Sequence, residues 1–561
     1  MKFLEHRQTA LAALVLGLVL ANPAAGQHHG HHDDRALEDD PRLAEGQIAP
    51  VLEGLGDHHH PVTTNSKRAQ LFFDQGLKLT YGFNHKEALR SFKEAARLDP
   101  DCAMAYWGWA LVLGPNLNLP MRATVVDQAY EAVQMAVERR DKVSEKERAY
   151  IDALALRYTD DLDAERKPFD EAYAKAMGEL HKRYPEDNDA ATLYAAALMN
   201  LSPWNYWTPD AQPRENTEEL LAVLEGVMER DPKHEGALHY YIHAVEPVDA
   251  ERGVQAADTL TGLAPGAGHL VHMPSHIYMQ VGRYGDAFDA NAAAVEADED
   301  YITQCAAQGI YPLNYYPHNL HFLVWASLMR GRSQDALDAA RKVASNVPED
   351  MEGNVWGLFE TLLTMPIATM VRFGRFEELL NEPEPPIELL EISVLWRYGR
   401  GLAYVDQGKI RRAKRELAAL RKMSGDPARY RGGHPDTTIS RIAHEVLAGE
   451  IAAKRGDYEQ AILHLSRAVR LEDGLPYSEP PMWYYPVRHT LGAVLLESGA
   501  SKEAETVYWE DLEKHKDNGY SLFGLWKSLQ AQGRNDEADE VEQRFRDAWV
   551  DADVQLTSSR F

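Results

Sequence analysis

The sequence has few cysteines and a deficit of positive charge. Only two cysteines, Cys102 and Cys305, occur in 561 residues, which excludes a disulfide framework and a thiolate zinc site, although one bridge between them stays open. Lysine and arginine number 59 against 87 acidic residues, for a formal net charge of −28. Because a protein that follows nucleic-acid phosphates needs a positive face, this balance argues against nucleic acid as a partner.

Long uncharged hydrophobic runs are missing beyond the first residues. Basic residues precede an apolar run from Leu11 to Ala21, and small residues follow up to Gly26. This pattern predicts a signal peptide over residues 1–26, and its apolar run is shorter than the roughly 20 residues that a membrane helix needs. We therefore expect a mature protein without a membrane span that is periplasmic or secreted.

A recurring pattern of small residues begins near residue 66. In FFDQGLKLTYGFNHKEALRSFKEAARLDP, the offsets required by two packed antiparallel helices are occupied by Gly76, Ala88, Phe92, Ala95 and Pro100. Small residues let the helices approach, the aromatic ring fills the groove beside them, and proline ends the second helix. The same spacing returns in seven later segments, which begin at Gly282, Gly331, Gly374, Gly408, Gly456, Gly499 and Gly533.

On these motifs the chain resembles tetratricopeptide-repeat proteins over residues 66–550. The resemblance implies an all-α fold, a tetratricopeptide-type α-solenoid of helix-turn-helix repeats with a concave inner wall. Residues 302–316 interrupt the repeats and form either a lid or a long loop. Residues 551–561 are expected to form a C-terminal tail.

Histidine is concentrated ahead of the repeats, within residues 27–65, which we interpret as a mobile arm and lead-in segment. The tract QHHGHHDD (Gln27–Asp34) is either a weak metal-binding tract or a solvated linker. The segment GDHHHPVTT (Gly56–Thr64) resembles an extended strand. Its histidines, His58–His60, either complete a site in the concave groove or lie in a surface loop.

Histidine also recurs in three consecutive repeats. The resemblance implies that fixed positions of each first helix line the inner wall, and glycine and proline landmarks place three repeat starts at Glu235, Gly268 and Pro317. Wall positions of these repeats hold His239, His243, Glu246, His269, His272, His276, His318 and His321. Random placement of 23 histidines does not explain this concentration. Pro274 falls inside the second of these helices and is expected to interrupt it.

The spacing of these histidines predicts a polyhistidine transition-metal site. Residues four apart on a helix have Cβ atoms about 5–6 Å apart, so two imidazoles can bind one ion. HYYIH and HMPSH have this spacing, HNLH has the three-apart version, and Glu246 is a further candidate ligand or base. Two alternatives stay open: buried, hydrogen-bonded histidines, or a polar groove that binds a peptide or an anionic ligand.

Two functions from different classes follow. The first is an exported metalloprotein that stores and delivers a metal ion or carries out metal-dependent oxidation of a small substrate, the latter as a copper-dependent oxidoreductase. Imidazoles without thiolate suit copper, zinc, iron or nickel, and an oxidising compartment favours copper. The second is a periplasmic scaffold that binds a peptide or partner protein without metal. No catalytic residue is assigned, because the sequence lacks the zinc-hydrolase signature HExxH.

Overall fold

The computed structural model describes residues 46–305, 311–347, 356–386, 389–423 and 437–561. The predicted signal peptide, the tract Gln27–Asp34 and residues 306–310 of the predicted insertion lie outside these ranges. Where the chain is described, its regular structure is helical without a β-strand. None of these helices is long and apolar enough to cross a bilayer.

The all-α architecture predicted from the sequence is confirmed. The helices are α1 (Lys67–Tyr81), α2 (His85–Leu98), α3 (Ala103–Leu113), α4 (Val126–Arg139), α5 (Glu145–Ala155), α6 (Lys167–Arg183), α7 (Asn188–Leu201), α8 (Thr217–Arg230), α9 (Glu235–Val245), α10 (Ala250–Leu260), α11 (Gly268–His272), α12 (Pro274–Gln280), α13 (Tyr284–Cys305), α14 (Tyr316–Arg330), α15 (Ser333–Ser345), α16 (Trp356–Arg372), α17 (Phe376–Asn381), α18 (Leu390–Asp406), α19 (Ile410–Met423), α20 (Thr437–Lys454), α21 (Tyr458–Asp473), α22 (Val487–Glu497), α23 (Ser501–Lys514), α24 (Gly519–Ala531) and α25 (Asn535–Ala548).

Tight glycine turns join successive helices into pairs. The glycines that open the seven later repeat segments all have φ between 62° and 85°. Residues with a Cβ rarely adopt this left-handed conformation, which is why glycine recurs where the first helix of a pair ends. These turns confirm the repeat spacing and, with it, the tetratricopeptide-type solenoid fold.

The first repeat shows why small residues are needed between the helices. Phe92 of α2 is fully buried, and its ring lies between Gly76 of α1 and Gly108 of α3. A Cβ would stand 2.7 Å from this ring at Gly76 and 2.3 Å from it at Gly108. Glycine therefore lets these helices close around one phenylalanine.

The chain divides into two compact units. The first runs to Ile277 and includes Ala293–Pro312, and the second comprises Tyr278–Ala292 and Leu313–Phe561. In the second unit, the tail continues past α25, and its Asp553 carboxylate accepts the backbone N–H groups of Ser333 and Gln334 at the start of α15. Such a carboxylate satisfies donors that a helix leaves unpaired at its first turn.

The described part of the lead-in segment, residues 46–65, packs against helices of the first unit. The Ile48 N–H donates to Glu94 of α2, and the Thr63 N–H donates to Glu147 of α5. The segment is irregular rather than the extended strand expected around Gly56–Thr64. Its backbone groups are held by side chains of the helices, so it forms part of the folded unit. In the same unit Cys102 is a buried free thiol.

Proline has opposite effects in two helices. Pro274 separates α11 from α12, as expected from its position inside a repeat helix. Pro366 lies within α16 without ending it. The break at Pro274 leaves His272 at the end of α11 and His276 in the first turn of α12.

We predict that Gly108→Ala lowers the free energy of unfolding by about 1–3 kcal/mol, because the new methyl group overlaps the Phe92 ring. Gly226 of α8 is the matched control, since the atom nearest to its added Cβ is the flexible tip of Arg230 at 3.4 Å. Alanine at that position should be neutral or stabilise the helix by up to about 1 kcal/mol. Urea unfolding followed by far-UV circular dichroism measures both, and equal effects would contradict the packing argument.

Candidate metal centre

Two repeats of the first unit bring five of the predicted histidines together. α9 begins at Glu235 and α11 at Gly268, the repeat starts expected from the sequence. The five side chains belong to residues no more than 3% exposed, and they are His239, His243, His269, His272 and His276. The predicted register therefore places these histidines inside the unit rather than on its surface.

The five imidazoles form a closed circuit, which we term the five-histidine ring. Successive ring centroids are 4.8 Å apart for His239 and His243, 5.5 Å for His243 and His276, and 4.7 Å for His276 and His272. The circuit closes through 5.8 Å between His272 and His269 and 4.9 Å between His269 and His239. Each imidazole thus has two imidazole neighbours.

The Nε2 atoms approach one another within this ring. They are 3.2 Å apart for His239 and His269, and 2.9 Å apart for His272 and His276. The ligand nitrogens of His239, His243 and His269 all lie within 4.8 Å of one another. Two nitrogens bound to a tetrahedral ion at about 2.0–2.1 Å are about 3.3 Å apart, so these separations suit a shared ion as well as a hydrogen bond.

Four of the five histidines have a contact outside the ring at Nδ1. The Nδ1–H of His239 donates to the backbone carbonyl of Tyr81 at 2.5 Å. The buried Glu246 carboxylate lies 3.4 Å from Nδ1 of His243 and 2.8 Å from Nδ1 of His276. An imidazole that donates through Nδ1 presents a lone pair on Nε2, which is the arrangement of a metal-binding histidine. Glu246 therefore contacts the outer nitrogens, where it orients the imidazoles.

Two further contacts involve His272 and His269 of the ring. Nδ1 of His272 lies 3.2 Å from the Ser275 hydroxyl. The His269 backbone N–H donates to the Tyr311 hydroxyl, which in turn donates to Asp298 at 2.8 Å. Tyr311 belongs to the predicted insertion, so a described part of that insertion holds one ring helix in place.

Burial favours the neutral form of two ring imidazoles, His239 and His243. It lowers the pKa of His239 well below the ordinary value, an effect to which His243 adds, and it lowers the pKa of His243 in the same way. Burial raises the pKa of Glu246, although the nearby His276 opposes this effect. Neutral imidazole is the form that binds a metal ion.

Phe83 lies against the ring and was not predicted from the sequence. Its ring centroid is 4.5 Å from that of His239, 5.4 Å from that of His269 and 6.0 Å from that of His243. Its φ of 56° is in the left-handed region, which costs a residue with a side chain about 1–3 kcal/mol.

The repeat register contains the signal that identifies Phe83. It stands five residues before Ala88, as Gly331 stands five residues before Ala336 in a later repeat. Phenylalanine therefore occupies the position that glycine holds in the seven later turns. A strained residue kept at a position that favours glycine points to a role for its side chain.

The other two predicted ligands, His318 and His321, lie in the second unit. Both are on α14, which begins at Tyr316, one residue before the expected start at Pro317. The His318 ring packs 4.9 Å from that of Phe322. Burial lowers the pKa of His321 to about 4, so this imidazole is neutral at physiological pH.

A second cluster surrounds Asp189 in the first turn of α7, and we term it the Asp189 cluster. The carboxylate lies 2.9 Å from Nε2 of His58, 2.7 Å from Nδ1 of His60 and 3.4 Å from Nε2 of His234, and it accepts the Tyr81 hydroxyl. His58 and His60 thus join neither a surface loop nor the five-histidine ring. They hold the lead-in segment on α7, and His234, for which no role was predicted, completes the cluster.

The tautomer of His234 distinguishes the Asp189 cluster from the five-histidine ring. Its Nδ1 accepts the backbone N–H of Ala237 at 3.2 Å, so the proton of the neutral imidazole is on Nε2. That N–H faces Asp189 and leaves no lone pair for an ion. His234 is therefore a structural member of the cluster, although the ligand atoms of His60, Asp187 and Asp189 are close enough together for a metal.

The stability that the Asp189 cluster contributes depends on pH through its histidines. Burial alone would lower the pKa of His58 and His60, but the hydrogen bonds and charge of Asp189 outweigh it, so both are raised. Burial likewise opposes the charge on Asp189, yet hydrogen bonds from the histidines hold its pKa well below the usual range. The contribution of the two histidines is fully present below about pH 6.5 and is lost as the pH rises through their raised pKa.

Comparisons with known proteins do not decide the fold, which is assigned from features of this chain itself. No family model matches, and no relative is found among curated proteins. A structure of the human IFIT1 dimer with m7Gppp-AAAA is 13% identical, with a TM-score of 0.28 over 87% of this chain and 91% of that chain. The APC/C hetero-tetramer Cut9-Hcn1 is 12% identical, with a TM-score of 0.30 over 85% and 76%. Likenesses this low carry no argument about function, so the fold rests on the helix pairs and glycine turns.

We predict that His60→Ala lowers the free energy of unfolding by about 3 kcal/mol at about pH 5.5 and by less at about pH 8. His59→Ala is the matched control, because the His59 side chain is 56% exposed and contacts Asp74 instead. That variant should differ little from wild type at either pH. Denaturant unfolding at both pH values measures the difference, and a larger loss for His60→Ala at high pH would contradict the assignment.

Proposed function

We propose that the five-histidine ring binds a transition-metal ion and that this chain is an exported metalloprotein with a tetratricopeptide-type fold. Its donors are imidazole nitrogens without thiolate, which suit copper, zinc or iron. We favour copper because an exported protein meets an oxidising compartment. The observation that carries the proposal is a closed circuit of buried imidazoles in which Nδ1 atoms of four members contact partners outside the circuit, while Nε2 atoms approach each other in two pairs.

A metal-free arrangement of the ring does not satisfy Nε2 of His243. The Nε2–H of His269 can donate to His239, and that of His272 can donate to His276. Nε2 of His243 is buried and has no hydrogen-bond partner among the described residues. An unsatisfied buried acceptor costs about 1–3 kcal/mol, and an ion shared with the neighbouring imidazoles removes this penalty.

The burial of the ring argues against a peptide-binding groove at these histidines. A peptide must reach the side chains that recognise it, whereas residues of the ring are at most 3% exposed. Recognition of a peptide or partner protein would therefore use other surfaces of the repeats. A scaffold without metal remains the alternative function, and metal content separates the two.

Within the metalloprotein class, two activities fit the same ligands. Storage and delivery need ligands that release the ion, whereas oxidation of a small substrate needs an open coordination position beside a substrate site. The acidic chain, at a formal net charge of −28, attracts cations in either case. We retain both activities under the one proposal of a metal-handling or metal-dependent oxidising protein.

The proposal predicts that protein lacking residues 1–34, produced in metal-replete medium, retains about one copper or zinc ion per chain. The double variant His239→Ala and His276→Ala should lose this ion, because it removes two non-adjacent members of the ring. His60→Ala is the control for loss of a buried histidine outside the ring, and it should keep the metal. Elemental analysis of the three folded proteins measures the metal content per chain. Equally low metal content in all three would contradict the metal site and favour the scaffold without metal.

We also predict that Glu246→Gln weakens metal affinity by about 10–100-fold, because a neutral amide orients and polarises the Nδ1–H groups less than a carboxylate does. Glu225→Gln on α8 is the matched control, since Glu225 bonds Tyr241 and Arg252 instead of a ring histidine. Competition titration with a chelator measures both affinities. Equal metal affinities of the two variants would contradict the role of Glu246 in orienting the ring histidines.

A further inference from the structure

A cleft in the first unit lies beside the five-histidine ring. Its walls come from α1, α3, α7 and α9 and from the turn that follows α1, and they include Phe83 and Tyr240. The Phe83 and Tyr240 rings stack with centroids 5.8 Å apart. Phe83 also packs on three ring imidazoles, and the Tyr240 ring lies 5.2 Å from that of His239, so these two side chains border both the cleft and the ring.

The lining of the cleft selects for ligand charge. Arg157 is its charged residue, no carboxylate lines it, and the amides of Asn116 and Asn200 stand among apolar side chains. The Arg157 Nε donates to Asp170 at 3.0 Å, which offsets part of its charge without placing an acid in the lining. Such a passage favours a small anion or a neutral molecule over a hydrated cation.

Phe83 borders the cleft and the ring at a position where the fold favours glycine. Its φ of 56° is one that glycine adopts freely, and the seven later turns have glycine there. Replacing Phe83 with glycine therefore suits the backbone and removes only the aromatic ring. The side chain is kept against the conformational preference of the turn, where it lines the cleft and contacts three ring imidazoles.

We propose that the cleft admits a small anionic ligand to the metal held by the five-histidine ring and that Phe83 is the gate on this route. The inference rests on the proposed metal site and deepens it, because it names the class of ligand that reaches the ion. A metal-handling or oxidising protein needs such a passage, since the ring itself is buried. Closure by an aromatic side chain keeps water and other ligands from the ion until the gate opens.

The test uses protein lacking residues 1–34, loaded with copper(II), with azide as the probe. Copper content is measured first, and the rate at which azide changes the visible absorption spectrum is then compared between variants. Phe83→Gly should raise this rate by about tenfold or more, as expected when a gate is removed. Ala196→Leu, which narrows the cleft from its half-buried position on α7, should return the rate of Phe83→Gly towards wild type.

Trp204→Gly is the matched control for loosening of the ring. Trp204 also has a positive φ, of 58°, and its ring lies 5.1 Å from that of His243, but it is outside the cleft lining. Its removal should leave the azide rate within about twofold of wild type. A rate in Phe83→Gly equal to wild type, or an equal acceleration in Trp204→Gly, overturns the gate while the metal site stands. Absence of bound copper in every protein overturns the metal site and the gate together.

Discussion

Every ring nitrogen of a histidine that is withdrawn from water needs a partner, and five histidines buried side by side make this requirement severe in the first unit. The protein meets it on one side of the imidazoles with a backbone carbonyl from Tyr81, the Glu246 carboxylate and the Ser275 hydroxyl. These contacts set which nitrogen carries the proton. The remaining lone pairs are then directed towards neighbouring imidazoles, and this arrangement accounts for the metal site that we propose.

The end of α1 connects the main parts of the first unit. The Tyr81 carbonyl accepts from His239, which is 158 residues away in the sequence, and the Tyr81 hydroxyl donates to Asp189. Two residues later, Phe83 packs on the ring. The lead-in segment reaches the same region through His58 and His60 on Asp189. A single helix terminus therefore couples the docking of the lead-in segment to the position of a candidate ligand.

The fold was predictable because its determinants are local. Glycine at seven turns and small residues between paired helices recur at fixed offsets, and glycine and proline landmarks also give the helix starts at Glu235 and Gly268. The contacts around the ring could not be read in the same way. Which nitrogen of His243 meets Glu246, and that His234 accepts from a backbone N–H, depend on side-chain orientation rather than on spacing. Phe83 was detectable as the exception to the glycine turns, but its contact with the ring depends on segments far apart in the sequence.

X-ray absorption spectroscopy at the metal edge determines whether the five-histidine ring holds the ion, on protein lacking residues 1–34 and loaded with one equivalent of copper or zinc. We expect a first shell dominated by three or four imidazole nitrogens at about 2.0 Å, with the outer-shell scattering that imidazole rings produce. A first shell of oxygen with at most one imidazole would contradict it, because an ion bound in that way would lie outside the five-histidine ring.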